Sequence, residues 1–98
     1  MVRDERCVFI EPTTFLPDSV IVSAGARVTW VNADRRAHRV VSTDGRFRSP
    51  FLEAGESYSL EFNEPGVYSY YCRCNPCLGG AIVVEGRAAT LREARKSR

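Results

Sequence analysis

The sequence has little of what most enzymes and nucleic-acid-binding proteins depend on. Its 98 residues include one histidine, one methionine and one tryptophan, and its net charge is only +2. It contains no paired carboxylates, no glycine-rich phosphate loop and no serine nucleophile motif. A net charge this small does not indicate a nucleic-acid partner. The missing catalytic motifs predict a protein that is not an enzyme.

Long apolar runs are also missing. The longest are far shorter than the roughly 20 residues that cross a bilayer, so we expect no membrane association. The first six residues, Met-Val-Arg-Asp-Glu-Arg, lack the apolar centre of a secretory signal. We therefore expect a cytoplasmic protein, or an exported one whose leader was removed. In a reducing cytoplasm, clustered cysteines bind metal or perform redox chemistry more often than they form structural disulfides.

The apolar residues, 44% of the chain, are arranged in short alternating segments typical of half-buried strands. Strands are predicted over residues 5–10, 19–23, 26–32, 38–42, 57–62, 67–72 and 80–85. Even spacing and turn residues between them predict an all-β fold, an antiparallel β-sandwich or barrel. This domain is assigned to residues 1–86, with Phe47, Phe51 and Leu52 expected in its core. Residues 87–98 are predicted to be a basic C-terminal tail, helical or disordered.

Cysteine is concentrated in one place. Three of the four cysteines, Cys72, Cys74 and Cys77, lie within six residues, in a predicted loop between two strands. Thiolates are soft ligands that favour Cu(I), zinc and iron–sulfur iron. From the residues alone, three interpretations remain open: a metal site that His38 completes through the fold, a redox pair of Cys74 and Cys77, or a structural disulfide between them.

Five segments carry a resemblance to a known family: residues 15–25, 28–32, 37–38, 55–62 and 64–72. Together they resemble the cupredoxins, the small blue-copper fold of plastocyanin and amicyanin. The resemblance implies an antiparallel Greek-key β-sandwich of seven to eight strands. In it, His38 and Cys72 come from different strands, meet at one end and bind copper. It also implies electron transport and a redox or copper-transfer protein as partner. Cys7 is expected to be remote from the site, as a core or surface thiol.

The sequence departs from the family pattern at the metal loop. Aligned without gaps, Asn75 stands where the family has its second histidine, and Leu78 stands where it has methionine. A blue-copper centre needs two histidines, one cysteine and a weak axial ligand, and one histidine cannot supply it. Cys74 and Cys77 each precede one of the lost ligands.

We therefore expect a metal site of His38, Cys72, Cys74 and Cys77. Copper held as Cu(I) is favoured and zinc is the alternative, because both accept sulfur-rich sets. The expected function is copper buffering, copper transfer or electron transfer. The alternatives are a thiol–disulfide redox protein using Cys74 and Cys77, a zinc-stabilised module, or a metal-free binding module.

Overall fold

The computed structural model describes residues 5–72 and 75–86, and for residues 75–78 it describes the backbone only. These residues form eight β-strands in two four-stranded sheets. The strands are β1 Glu5–Ile10, β2 Phe15–Leu16, β3 Ser19–Ser23, β4 Ala26–Asn32, β5 Val40–Ser42, β6 Ser57–Phe62, β7 Gly66–Cys72 and β8 Asn75–Glu85. The predicted β-sandwich is therefore confirmed. Among the residues described, no helix has the length and hydropathy of a membrane-spanning segment.

The two sheets are built from strands that cross between them. The first sheet has the order β2-β1-β4-β6 and the second has the order β3-β8-β7-β5. Two neighbouring pairs, β1–β4 and β3–β8, are parallel, whereas the sequence pattern predicted antiparallel pairing throughout. The chain leaves the first sheet for the second at β3 and returns in β4. This crossover lets β1 and β4 run in the same direction, as parallel neighbours require.

Aromatic side chains fill the space between the sheets. The alternating sequence of residues 67–72 predicts that Tyr68, Tyr70 and Cys72 share the inner face of β7, and all three are buried. The Tyr70 ring packs edge-on against Phe15 at 4.8 Å and against Trp30 at 5.3 Å between centroids. Burial raises the pKa of Tyr70 to about 12, so its hydroxyl is neutral at physiological pH. Cys72 therefore lies at the end of a strand whose inner face is anchored by large rings.

Gly80 makes room for the Tyr70 ring. The two residues lie opposite each other in β7 and β8. A Cβ atom on Gly80 would lie 2.5 Å from the Tyr70 hydroxyl oxygen and 2.9 Å from the Asp18 carbonyl oxygen. Both distances are shorter than a carbon atom tolerates, so glycine is required there for steric reasons. Of the two glycines that follow the cysteine-rich stretch, Gly80 thus serves core packing.

The segment between Phe47 and Leu52 is only partly as predicted. Phe47 and Leu52 are buried, but Phe51 is 50% exposed, so its assignment to the core is wrong. The segment is extended and lies beside β5, with bridges from Leu52 to His38 and from Arg48 to Val41. Because successive side chains of an extended segment point to opposite sides, burying Leu52 turns Phe51 to the surface.

The expected loop after Cys72 is also different. Asn75–Gly79 belong to β8, which begins earlier than the predicted residue 80. Tyr71 pairs with Gly79, but Cys72 pairs with Asn75, so the register shifts between Tyr71 and Cys72. The extra residues of β8 form an irregularity of the bulge type, which takes the place of the loop. The predicted tail, residues 87–98, lies outside the described residues.

Candidate metal centre

The fold brings His38 and Cys72 into direct contact, although 34 residues separate them in sequence. His38 Nδ1 lies 3.0 Å from Cys72 Sγ, and both side chains are buried, with exposed fractions of 4% and 0%. His38 is held by backbone hydrogen bonds in both directions with Leu52. Cys72 is held by its pairing with Val40 across β5 and β7. The expected meeting of these two residues at one place in the sandwich is therefore confirmed.

Asp34 fixes the orientation of the His38 ring. Its Oδ2 atom lies 2.7 Å from His38 Nε2, and its Oδ1 atom accepts a hydrogen bond from the Arg35 backbone N–H at 2.7 Å. The hydrogen bond from His38 lowers the pKa of the Asp34 carboxyl below its ordinary value, so the group is ionised and can only accept. The proton of a neutral His38 is therefore on Nε2. This leaves the Nδ1 lone pair directed at the Cys72 sulfur.

The pKa of His38 reflects two opposing effects. Burial by itself lowers it, but hydrogen bonds to Asp34 and Cys72 and the negative charges beside the ring raise it more. The outcome is a pKa above the ordinary value for histidine. A buried imidazole between two anionic or anion-forming groups favours a positive charge, which is the charge a metal ion would bring to the same place.

Asn32 organises the loop that carries Asp34. Its side-chain NH₂ donates to the carbonyl oxygens of Arg36 and Leu52, each at 2.8 Å, and its Oδ1 accepts from the Asp34 backbone N–H at 2.9 Å. Only 1% of Asn32 is exposed. Three hydrogen bonds from one buried amide tie the end of β4 to the Asp34 loop and to the segment that holds His38. Asp34 is thereby held in place relative to the ring.

Sequence analysis did not single out Asp34 or Asn32. Asp34 lies four residues before His38, but it stands in a polar loop, where no periodicity predicts which side chains meet. The only available signal was a carboxylate close in sequence to a candidate ligand. A partner that orients a ligand histidine is often a carboxylate.

The other cysteines have different outcomes. Cys74 lies outside the described residues, and Cys77 lies within β8 where only the backbone is described. Among the side chains that the structure describes, those of residues 5–72 and 79–86, no group of three or more histidines, cysteines and carboxylates is placed to hold a metal ion. Cys7 is exposed on β1 of the first sheet, whereas Cys72 is in the second sheet. Of the two expected roles, core thiol and surface thiol, Cys7 therefore has the second.

The two donor atoms that the structure describes fit a soft metal ion. Bonds of about 2.3 Å to sulfur and about 2.0 Å to nitrogen require donors on one ion to lie closer than about 4.3 Å. The separation of 3.0 Å between Nδ1 and Sγ meets this condition. Both atoms are buried, and the distal ring nitrogen is held by a carboxylate, which is the support that metal-binding histidines usually have.

Comparison with known proteins identifies the fold. The family model described as "Cupredoxin-like domain" matches residues 3–84. The chain belongs to the cupredoxin family. Amicyanin from Paracoccus versutus is 33% identical over 87 residues, which cover 84% of this chain and 66% of that protein. Plastocyanin from Scenedesmus fuscus is 36% identical over 84 residues, covering 72% of this chain and 86% of the plastocyanin.

Solved cupredoxin structures agree with this assignment. An oxidised methionine-to-leucine mutant of amicyanin superimposes with a TM-score of 0.76 at 32% identity, covering 81% of this chain and 80% of that one. The chain spans about two thirds of the length of the Paracoccus versutus amicyanin. Family membership confirms the expected class, a copper protein of the β-sandwich type, and its relatives amicyanin and plastocyanin are small electron carriers, not enzymes.

Proposed function

We propose that this cupredoxin holds copper as Cu(I) through His38, Cys72, Cys74 and Cys77, and that it buffers copper or transfers it to another protein. The observation that carries the proposal is the contact of 3.0 Å between His38 Nδ1 and Cys72 Sγ, made between two buried side chains. A thiolate and a neutral imidazole in a closed, water-poor site are donors that a soft cation prefers. Copper in such a site supplies either a transferable ion or a one-electron couple.

The departures from the family pattern favour Cu(I). Asn75 and Leu78 replace the histidine and methionine that the blue-copper pattern requires, while two additional thiols stand next to those positions. A set rich in thiolates stabilises Cu(I) and reacts with Cu(II), which oxidises thiols. A sandwich that holds His38 against Cys72, with the thiols of Cys74 and Cys77 close to Cys72 in sequence, is suited to tight retention of a reduced ion.

Electron transfer is the second candidate, and the family relationship favours it. Amicyanin and plastocyanin are the curated relatives, and they match most of this chain. A sandwich that holds its ligands rigidly keeps reorganisation small when an ion changes charge. The partner would then be a redox protein rather than a copper acceptor.

The ligand set is tested by Cu(I) competition titration against a chromophoric chelator. Cys72→Ser is expected to abolish tight binding, because it removes the thiolate that β7 holds beside His38 and leaves a poor ligand for a soft ion. Cys74→Ser and Cys77→Ser are expected to weaken binding to a smaller extent. Cys7→Ser is the matched control, since it removes an exposed thiol on the other sheet and should leave the affinity unchanged.

Two outcomes would contradict the proposal. If Cys72→Ser binds Cu(I) like the parent while Cys74→Ser and Cys77→Ser fail, the chemistry belongs to the Cys74–Cys77 pair. Thiol titration then separates the alternatives: a disulfide hides two thiols until a reductant is added, whereas a metal site hides three until a chelator removes the ion. Elemental analysis of protein purified without added metal distinguishes copper from zinc.

A further inference from the structure

The charges of the described residues are distributed unevenly along the chain. Five of the seven arginines in residues 5–72 and 75–86 lie between positions 35 and 48, whereas eight of the ten carboxylates lie outside residues 34–48. The two carboxylates inside are already engaged, Asp34 with His38 at 2.7 Å and Asp44 with Arg46 at 3.0 Å. In the part of the chain that the structure describes, four arginines therefore have no carboxylate partner: Arg35, Arg36, Arg39 and Arg48.

Two of these arginines lie on an exposed aromatic surface. Val41 pairs with Tyr71 on one side and with Arg48 on the other, so these three residues form a row on the outer face of the second sheet. Arg39 precedes Val41 by two residues and lies on the same face. Its guanidinium carbon lies 4.4 Å from the centroid of the exposed Phe51 ring. We call Arg39, Val41, Arg48, Phe51 and Tyr71 the arginine patch.

The geometry of the patch is fixed by its neighbours. Arg39 Nε donates to the Ser49 carbonyl oxygen at 2.9 Å, so the half-buried guanidinium is held over the Phe51 ring. A preorganised arginine loses little side-chain entropy when it pairs with a carboxylate. Phe51 is 50% exposed, and Tyr71 and Val41 are half-buried. Arginine and aromatic side chains of this kind are enriched at protein interfaces.

The patch lies directly outside the candidate metal centre. Tyr71 precedes Cys72 in β7, and Phe51 precedes Leu52, which is bridged to His38. Val40, next to Arg39, pairs with Cys72. A protein bound to the arginine patch would therefore be separated from His38 and Cys72 by little more than the backbone of β5 and β7.

We propose that the arginine patch docks the acidic surface of a partner protein that exchanges electrons or copper with the centre beneath it. That the partner exchanges electrons or copper rests on the proposed function. The docking itself is argued from the charge and the shape of the patch. Unpaired arginines attract carboxylates and accelerate encounter. A long polyanion such as a nucleic acid is disfavoured, because the net charge of the chain is only +2, which is too small to attract one.

The test uses a plant-type [2Fe–2S] ferredoxin as an acidic one-electron probe protein. Backbone amide shifts of the isotope-labelled chain are followed during titration, with metal-free reduced protein and with copper-loaded protein. We expect shifts confined to the residues around 39–41, 48–51 and 71. Binding should weaken steeply as the Debye length falls from about 30 Å at 0.01 M salt to about 8 Å at 0.15 M.

Matched double variants identify the patch. Arg39→Gln with Arg48→Gln is expected to raise the dissociation constant by at least about fivefold. Arg6→Gln with Arg27→Gln makes the same charge change on β1 and β4 of the other sheet and should change it by less than about twofold. If the loss of the Arg39 hydrogen bond unfolds the first variant, Arg48→Gln alone replaces it, with Arg27→Gln as its control, and only Arg48→Gln should raise the dissociation constant.

Three results would overturn the proposal. Equal weakening by both double variants would show that net charge alone attracts the probe. Tighter binding of a single-stranded oligonucleotide at the same amides would indicate a nucleic-acid surface. Salt-sensitive self-association that the patch variants abolish would indicate a second copy of the chain as the occupant. If the probe binds metal-free protein at the patch, docking is supported even when the protein fails to bind copper. The test can therefore distinguish failure of the docking proposal from failure of the copper-binding proposal.

Discussion

Removing the charge of Asp34 is the sharpest test of how the site works. In Asp34→Asn the side chain keeps its size but has one acceptor oxygen instead of two. In the parent protein, the Asp34 carboxylate accepts hydrogen bonds from both His38 Nε2 and the Arg35 backbone N–H, each at 2.7 Å. The amide of asparagine can serve only one of them and must turn its own NH₂ group toward the other. Asp34→Ala removes both acceptors.

The size of the effect follows from these contacts. Loss of a group that orients a ligand histidine typically costs about 10- to 100-fold in metal affinity. Asp34→Asn retains one hydrogen bond, so we expect Cu(I) affinity to fall about tenfold. Asp34→Ala should approach the hundredfold end of the range, because nothing then selects the Nε2–H tautomer. The assay is Cu(I) competition, paired with ¹⁵N chemical shifts of the His38 ring in metal-free protein.

The control is Asp44→Asn, which removes an exposed carboxylate in a turn, paired only with Arg46, and should leave both readings unchanged. The ring shifts are essential because a merely structural role for Asp34 would not move them. If Asp34→Ala binds Cu(I) as tightly as the parent and its His38 ring keeps the Nε2–H tautomer, then Asp34 does not position the ligand and our account of the site is wrong.

Three further predictions concern packing, colour and pH. Gly80→Ala should lower the free energy of unfolding in urea by about 1–3 kcal/mol, since its Cβ would overlap the Tyr70 hydroxyl; an unchanged midpoint would contradict the packing argument. The protein mixed with Cu(II) should not turn intensely blue as blue-copper centres do, because those centres need two histidine ligands and the chain has one histidine. A visible absorption spectrum checks this. Because the folded-state pKa of His38 is raised above 6.5, the stability that its protonation adds is fully present below pH 6.5 and is lost as pH rises through the folded-state pKa. Urea midpoints of metal-free protein should therefore fall over that window, and those of His38→Gln should fall less.

Strand positions could be predicted from the sequence because alternation reports burial directly. The pattern in β4 and β7 correctly turned Trp30, Tyr70 and Cys72 inward. The same logic failed for Phe51, because the sequence offers no sign that residues 47–52 run as an extended segment beside β5. Without that pairing, an aromatic residue in an irregular stretch is expected to be buried. Its exposure depends on a long-range contact, the bridge between Leu52 and His38.

The site was predictable only where a resemblance supplied long-range information. Spacing within the cysteine-rich stretch says nothing about His38, and the contact of His38 with Cys72 was inferred from the cupredoxin pattern. Asp34 and Asn32 were not predicted, because their roles arise from loop geometry. Asn32 looks like a polar residue at the end of a strand, yet its amide makes three hydrogen bonds that decide where Asp34 stands.

The register of the second sheet separates the two residues that follow the family pattern, His38 and Cys72, from the positions that depart from it. From Gly66 to Tyr71, β7 pairs with β8 residue by residue, and the shift occurs between Tyr71 and Cys72. Cys72 is still paired with Val40 on its other side, so its position is set by β5, the strand that follows His38. Residues beyond Cys72 depend on the irregular part of β8 instead. Asn75 and Leu78, which stand where the family has histidine and methionine, lie in that irregular part, so the pairing of β5 with β7 that holds Cys72 beside His38 does not depend on them.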